Sequence, residues 1–190
     1  MRHIGSVPSS IVFERVVMKL ETLNSMKERR SVRGYKPEQI KDEELNAVLE
    51  SGVYAPSGHG FQSAKLVVVQ DKETRDLLSS LNAKVLGVDS DPFYGAPTIV
   101  VVFADKNRPT YVEDGALALG NMMLAAYAVG LGSCWIHRAK EVFSGETGKT
   151  LMKKWGVSDN YVGVGHCALG YAAGPLPEAA PRKPENIVRV

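Results

Sequence analysis

Apolar and polar positions divide the chain into short segments that switch between helical and extended periodicity. Leu20, Leu23 and Met26 recur every three residues and predict a helix ending near Arg30. Leu45, Val48, Leu49 and Val53 have the spacing of one buried helical face, with Asp42 ahead of them as the capping residue. Pro56, Gly58 and Gly60 then break the chain. Residues 65–70 (KLVVVQ) form a β-branched run that predicts a strand, and Asp71 caps a following helix that buries Leu77, Leu78 and Leu81. A second buried strand is predicted at 98–104 (TIVVVFA), between Pro97 and Asp105. Residues 113–129 predict the most apolar helix, rich in small side chains from Gly115 to Ala128, with Gly130 supplying its terminal turn. Helical propensity returns at 149–155, and 161–169 (YVGVGHCAL) predicts a third buried strand. The tail after Gly170 is rich in Pro and Ala and has no core of its own. Residues 1–17 show no periodicity and are expected to be a poorly ordered extension, leaving 18–190 as one domain. Strands alternating with helices, without an internal repeat, give a layered α/β or α+β class.

Composition narrows the classes. At 190 residues and 44% apolar, the chain can bury one core and is not a disordered segment. The 23 basic and 21 acidic residues leave a net charge of +2, so no global field recruits nucleic acid or an acidic membrane. Two cysteines are too few for a disulfide framework, which points to a reducing compartment. The longest apolar stretch, 116–131, is interrupted by Gly120 and Asn121 and is too short to span a bilayer. With no apolar leader at the N-terminus, a soluble cytoplasmic protein is expected.

Four pieces carry candidate chemistry. Residues 27–36 (KERRSVRGYK) place five cations around Ser31 and Gly34; guanidinium groups match phosphate oxygens in pairs, and the hydroxyl adds a further donor. The bland reading is a solvated basic helix end complementing the helix dipole. The loop 55–62 (APSGHGFQ) lets main chain and short polar side chains approach a flat ligand, or else simply joins helix to strand. Residues 130–137 (GLGSCWIH) follow the small-residue helix, and Arg182 and Lys183 form a basic pair in the tail. Other chemistries fail on geometry. Gly163, Gly165 and Gly170 lack dinucleotide-fingerprint spacing and lie within a strand. Cys134 with His137, and His166 with Cys167, are nominal zinc ligands, yet adjacent strand residues face opposite ways. Cys134 has no local nucleophile motif and reads as a buried thiol.

In this order, the four pieces resemble the nitroreductase family of flavin mononucleotide (FMN) enzymes, through Arg29-Arg30-Ser31-Val32-Arg33, Ala55-Pro56-Ser57 with Gln62, and Gly130-Leu131-Gly132-Ser133-Cys134-Trp135-Ile136. The resemblance spans Leu20 to the C-terminus. It implies an α+β fold with a mixed β-sheet flanked by helices, in an intertwined homodimer whose C-terminal arms embrace the partner. It also implies an NAD(P)H-using oxidoreductase that passes hydride through flavin N5 to a nitroaromatic, quinone or similar acceptor in alternation. By resemblance, Arg29, Arg30, Ser31 and Arg33 hold the phosphate and ribityl end, joined by Arg182 and Lys183. Pro56, Ser57, Gly58 and Gln62 reach the flavin ring from the other subunit. Cys134, Trp135, Ile136 and His137 line the cofactor, with the His137 N–H near N5 and no side chain acting as the catalyst. Two positions depart from the family pattern: Gly60 stands where asparagine is usual and Ser63 where proline is usual.

Overall fold

The computed structural model describes residues 21–190, so the extension expected at 1–17 lies outside the described residues. Six helices and four strands follow in order: α1 (21–28), α2 (Asp42–Val53), β1 (Ala64–Val69), α3 (Lys72–Leu86), β2 (Thr98–Asp105), α4 (Tyr111–Ala128), β3 (Gly132–Ile136), α5 (Ala139–Ser144), α6 (Glu146–Lys154) and β4 (Tyr161–Gly170). The strands form one sheet in the order β1-β2-β4-β3, with every ladder antiparallel. The sheet is thus antiparallel, and the one parallel pairing is an isolated bridge outside the strands, Ser31 to Ser133.

Both faces of the sheet are covered, so the class is α+β in three layers. Successive residues of β2 point to opposite sides: Ile99, Val101 and Phe103 join one core with α3, α5 and α6, while Val100, Val102 and Ala104 join another with α2 and α4. All six are fully buried, which is why β2 reads as a continuous apolar run rather than an alternating one. In β4 the register shifts opposite Val102 and Phe103, and Val164 is the unpaired extra residue. The bulge turns Val164 and Gly165 together toward α4. A Cβ on Gly115 would sit 2.6 Å from Val164, and one on Gly165 would sit 2.9 Å from Leu119. The small residues of α4 therefore serve its approach to the sheet.

Several local expectations shift. Lys41, not Asp42, is the N-cap of α2, and its N–H donates to Glu44 at 3.1 Å. Val53 and Leu77 are exposed, because both helices bury a narrower stripe than their apolar positions suggest. Asp71 caps α3 as expected, accepting from the Thr74 N–H at 2.8 Å. The segment 130–137 contains an edge strand, and α5 follows it directly. Among the described residues no helix is long and apolar enough to cross a membrane.

Beside β3, the chain after α1 runs extended. The Val32 N–H donates to the Ser133 carbonyl at 3.0 Å, and Val32 packs over Gly132, where a Cβ would fall 2.8 Å from its methyl. Tyr35 seals the far end, its hydroxyl donating to the carbonyls of Val32 (3.0 Å) and Ala168 (3.3 Å). Valine has few rotamers through which to escape a new methyl group. Gly132→Ala is therefore expected to cost about 1–3 kcal/mol in urea denaturation, the usual penalty for overpacking.

A partly buried carboxylate contributes to acid stability. Asp91 accepts from Arg75, from the Ser79 hydroxyl at 2.6 Å, and from the N–H groups of Phe93 (2.9 Å) and Gly95 (2.8 Å). Burial pushes its carboxyl up, but the Ser79 and Arg75 bonds and the two main-chain donors outweigh this and hold it below the usual range. A depressed carboxyl stabilises the fold above its unfolded pKa, near ~3.9, and loses that contribution as pH falls through the folded value. Asp91→Ala should cost about 1–3 kcal/mol at pH 7, with the gap from wild type narrowing below roughly pH 4 in parallel urea titrations.

Candidate functional site

The candidate residues fall into two groups at opposite ends of α4. The first is the basic segment. Because 31–35 is extended, Ser31 and Arg33 alternate with Val32, whose side chain faces the core, while Arg29 closes α1, its N–H donating to the Ser25 carbonyl at 3.0 Å. Arg30 turns back on its own helix end, its Nη1 donating to the carbonyls of Lys27 (2.7 Å) and Arg29 (2.8 Å). The capping reading thus applies to part of Arg30. Arg29 has a buried Nη1 and Arg30 a buried Nε with no hydrogen-bond partner. Among the described residues no carboxylate lies within ion-pair distance of Arg29, Arg30 or Arg33. Guanidinium donors withheld from both water and carboxylate fit an anionic ligand. A cleft of about 350 Å³ adjoins them, between Ser31–Gly34 and the start of the tail at Ala173–Pro177.

Bonds from Lys36 N to Tyr171 O (2.9 Å) and from Ala173 N to Gly34 O (3.0 Å) tie the tail to this segment. Beyond Gly174 it is exposed, and the side chains of Arg182 and Lys183 make no ion pair or hydrogen bond among the described residues. They are not brought to the arginines within one chain.

Cys134, Trp135, Ile136 and His137 form β3 and its exit. The Cys134 and Ile136 side chains are buried in one core and Trp135 packs against the other, so their main chain and the exposed His137 are what they offer a ligand. The His137 carbonyl accepts from Asn82 Nδ2 at 2.8 Å, and Arg138 Nε donates to Asn82 Oδ1 at 3.0 Å. His166, fully buried near Phe93, faces the Ile136 carbonyl across 3.2 Å. Burial drives its pKa down to about 4, so its ring is neutral at pH 7. Burial also raises the Cys134 thiol and pushes Cys167 up to about 12, so neither is a thiolate nucleophile. Among the described residues no three His, Cys, Asp or Glu side chains gather as a metal site.

The second group is the loop before β1. Residues 58–60 make one 3₁₀ turn, and His59 (φ 51°) and Gln62 (φ 50°) occupy the left-handed region. The Gln62 N–H donates to Ser57 Oγ at 2.9 Å. A small cavity of about 80 Å³ opens between Gly52, Ala55, Pro56, Ser57, Gln62 and Asp114. Asp114, in the first turn of α4, accepts from the Gly58 N–H at 2.9 Å and from Ser63 Oγ at 2.5 Å. Burial raises this carboxyl, yet the Ser63 hydroxyl and the Gly58 N–H hold it below the usual range. The Ser63 hydroxyl thus donates a bond to Asp114 that a proline at this position could not. Sequence reasoning missed Asp114 and Asn82, because an acid in a first helical turn and an asparagine within a helix carry no distinct signal.

Asp114 meets the loop, and Tyr127, thirteen residues further along α4, donates to Glu28 at 2.9 Å beside the basic segment. At 1.5 Å per residue these points lie roughly 20 Å apart. One chain therefore keeps the two groups separate.

Comparison with known proteins bears on this arrangement. A protein from Archaeoglobus fulgidus, whose name pairs NADH dehydrogenase with NAD(P)H nitroreductase, is 32% identical over 156 residues, covering 80% of this chain and 85% of its own. A nitroreductase with bound FMN from Bacteroides fragilis superposes with a TM-score of 0.82 at 32% identity, over 90% of this chain and 98% of that one. Another, from Desulfitobacterium hafniense, also with bound FMN, gives 0.80 at 28% identity with the same coverage. The nitroreductase family model matches residues 26–171, spanning the basic segment, the loop and all four strands, and the chain belongs to that family.

Proposed function

We propose that the protein is an FMN-dependent oxidoreductase that takes hydride from NAD(P)H and passes it to a nitroaromatic, quinone or similar acceptor, as a homodimer with two shared sites. The observation that carries this reading is the buried, unpartnered guanidinium donors of Arg29 and Arg30 beside Ser31 and Arg33. The FMN-bound relatives support the choice of ligand. FMN, when bound, supplies the two-electron redox chemistry; the chain supplies anchoring, orientation and oriented donors.

In this reading Arg29, Ser31 and Arg33 hold the phosphate end, with Arg30 contributing its free Nε. Arg182 and Lys183 join when the tail docks. Pro56, Ser57, Gly58 and Gln62 face the ring from the partner, which agrees with the ~20 Å between the two groups in one chain. Dimerisation is further supported by exposed apolar side chains along this side, including Val53, Tyr54, Val112 and Leu117, and by Ile187 and Val188 in the tail. The main chain at Cys134, Trp135 and Ile136 would hold the ring, and the His137 N–H would supply a donor to N5.

The protein should purify yellow, with about one FMN per subunit, and oxidise NAD(P)H faster when a quinone or nitroaromatic is added. A colourless protein would defeat the flavin reading. Bound flavin without acceptor-dependent turnover would instead make it a binding module. Charge-assisted bonds to phosphate contribute about 1.5–3 kcal/mol each, so Arg29→Ala should weaken FMN ~10–100-fold in a fluorescence titration.

The role of His137 separates by substitution. His137→Ala keeps the N–H and should retain stopped-flow flavin reduction within a few-fold. His137→Pro removes the donor and should slow reduction by ~10²-fold or more at equal FMN occupancy and unchanged circular dichroism. Loss of reduction in His137→Ala alone, with FMN still bound, would assign the chemistry to the imidazole.

A further inference from the structure

We propose that Asp114 is a positioning residue whose carboxylate, bonded to the Gly58 N–H and the Ser63 hydroxyl, sets the conformation in which the loop 57–62 meets its ligand. The role rests on the flavin reading for what that ligand is, but the anchoring is read from the chain itself.

An acid in a first helical turn ordinarily serves the N–H groups of its own helix. Asp114 does something else. It is 3% exposed, and its two oxygens are taken by groups from a loop more than fifty residues earlier in the chain, Oδ1 by Gly58 and Oδ2 by Ser63. Those contacts bracket the stretch in which His59 and Gln62 hold positive φ angles without being glycine. Such conformations persist only where the surroundings over-determine them. Here the surroundings are Asp114 below the loop and Ser57, which holds the Gln62 N–H from within it. Gly58 completes the seat, because any Cβ there would collide with Thr110 at the start of α4.

The result is a division within the loop. The anchoring groups Gly58 and Ser63 face α4, whereas Pro56, His59 and Gln62 remain exposed. Asp114 also lines the small cavity with Ser57 and Gln62, so the carboxylate lies behind the surface that those side chains present. A loop already held in its ligand-facing shape does not lose that freedom again on binding, and affinity rises accordingly.

The test uses the full chain, with and without FMN, in Asp114→Ala, Asp114→Asn and Ser63→Ala variants. In the FMN-free protein, amide hydrogen exchange at Gly58 and Gln62 should accelerate by about tenfold or more in Asp114→Ala. FMN affinity should fall about tenfold, and the visible circular dichroism of the bound flavin should change, while far-ultraviolet circular dichroism does not. Asn retains an acceptor for Gly58 and should restore most of the exchange protection. Ser63→Ala should produce a smaller change of the same kind and add little to Asp114→Ala, the non-additivity expected of one linked unit. If Asp114→Ala fails to fold, Ser63→Ala, which deletes a single hydroxyl, carries the same three measurements. Variants that lose only melting temperature, with wild-type exchange at Gly58, FMN affinity and flavin dichroism, overturn the positioning role. Wild-type protein that takes up no FMN overturns the flavin reading along with this role, whereas unchanged variants of a protein that does bind FMN overturn this role alone.

Discussion

The Val32 N–H donates to the Ser133 carbonyl, and the Val32 side chain lies in the space left by the missing Cβ of Gly132. This contact decides where the charged segment goes. A strand edge presents unpaired main-chain groups, and β3 is such an edge. The segment after α1 covers it with a parallel bridge, and its pleat then sorts the residues. Val32 enters the core, whereas Ser31 and Arg33 alternate with it. Tyr35 fixes the other end by its two hydroxyl bonds to main-chain carbonyls. Without Gly132 the valine could not seat, and the arginines would have no fixed origin.

Much of the scaffold was legible because its signals are local. β2 and β4 are long apolar runs bounded by turn residues, and Asp71 announces α3 by a cap that the structure contains. β3 was not legible: with glycines at 130 and 132, the segment 130–137 carries no strand signal. Its extended form comes from pairing with β4 on one side and with residue 31 on the other, neither of which is local. Val53 and Leu77 show the same limit from the opposite side. Helical periodicity marks which residues share a face, but not how much of that face the sheet covers. The basic cluster could be read as phosphate-matching chemistry from residue types alone. That Arg30 spends Nη1 on its own helix end, while Arg29 keeps a buried Nη1 unpartnered, is a matter of three-dimensional packing.

Asp91, partly buried, and Asp114, buried, each organise a loop, and they differ in what lies beyond them. Asp91 gathers Arg75, Ser79 and the main chain of its own turn, so its effect closes on itself and reads as stability. Asp114 gathers a loop whose remaining residues are exposed, so its effect passes outward to whatever that loop touches. Both carboxyls are depressed for the same reason, since hydrogen-bond donors outweigh burial. The difference between a structural and a positioning role therefore lies in the geometry around each group, not in its ionisation.

The unsatisfied donors of the basic segment impose a cost on the chain alone. A buried N–H of a charged group without an acceptor forfeits its hydration, and a fold of ordinary marginal stability retains few such groups. The sheet does not require them, because Val32 and Tyr35 dock the segment through main chain and apolar contact. Their burial is explained if the acceptor arrives from outside, and an anion with several oxygens can meet Arg29 and Arg30 together. By mass action, a ligand bound only to the folded state returns that cost as added stability. The same anion would lie beside the cleft at which the tail departs, which Ser31 and Arg33 line. Buried donors that the chain leaves without acceptors are what an anionic ligand would complete.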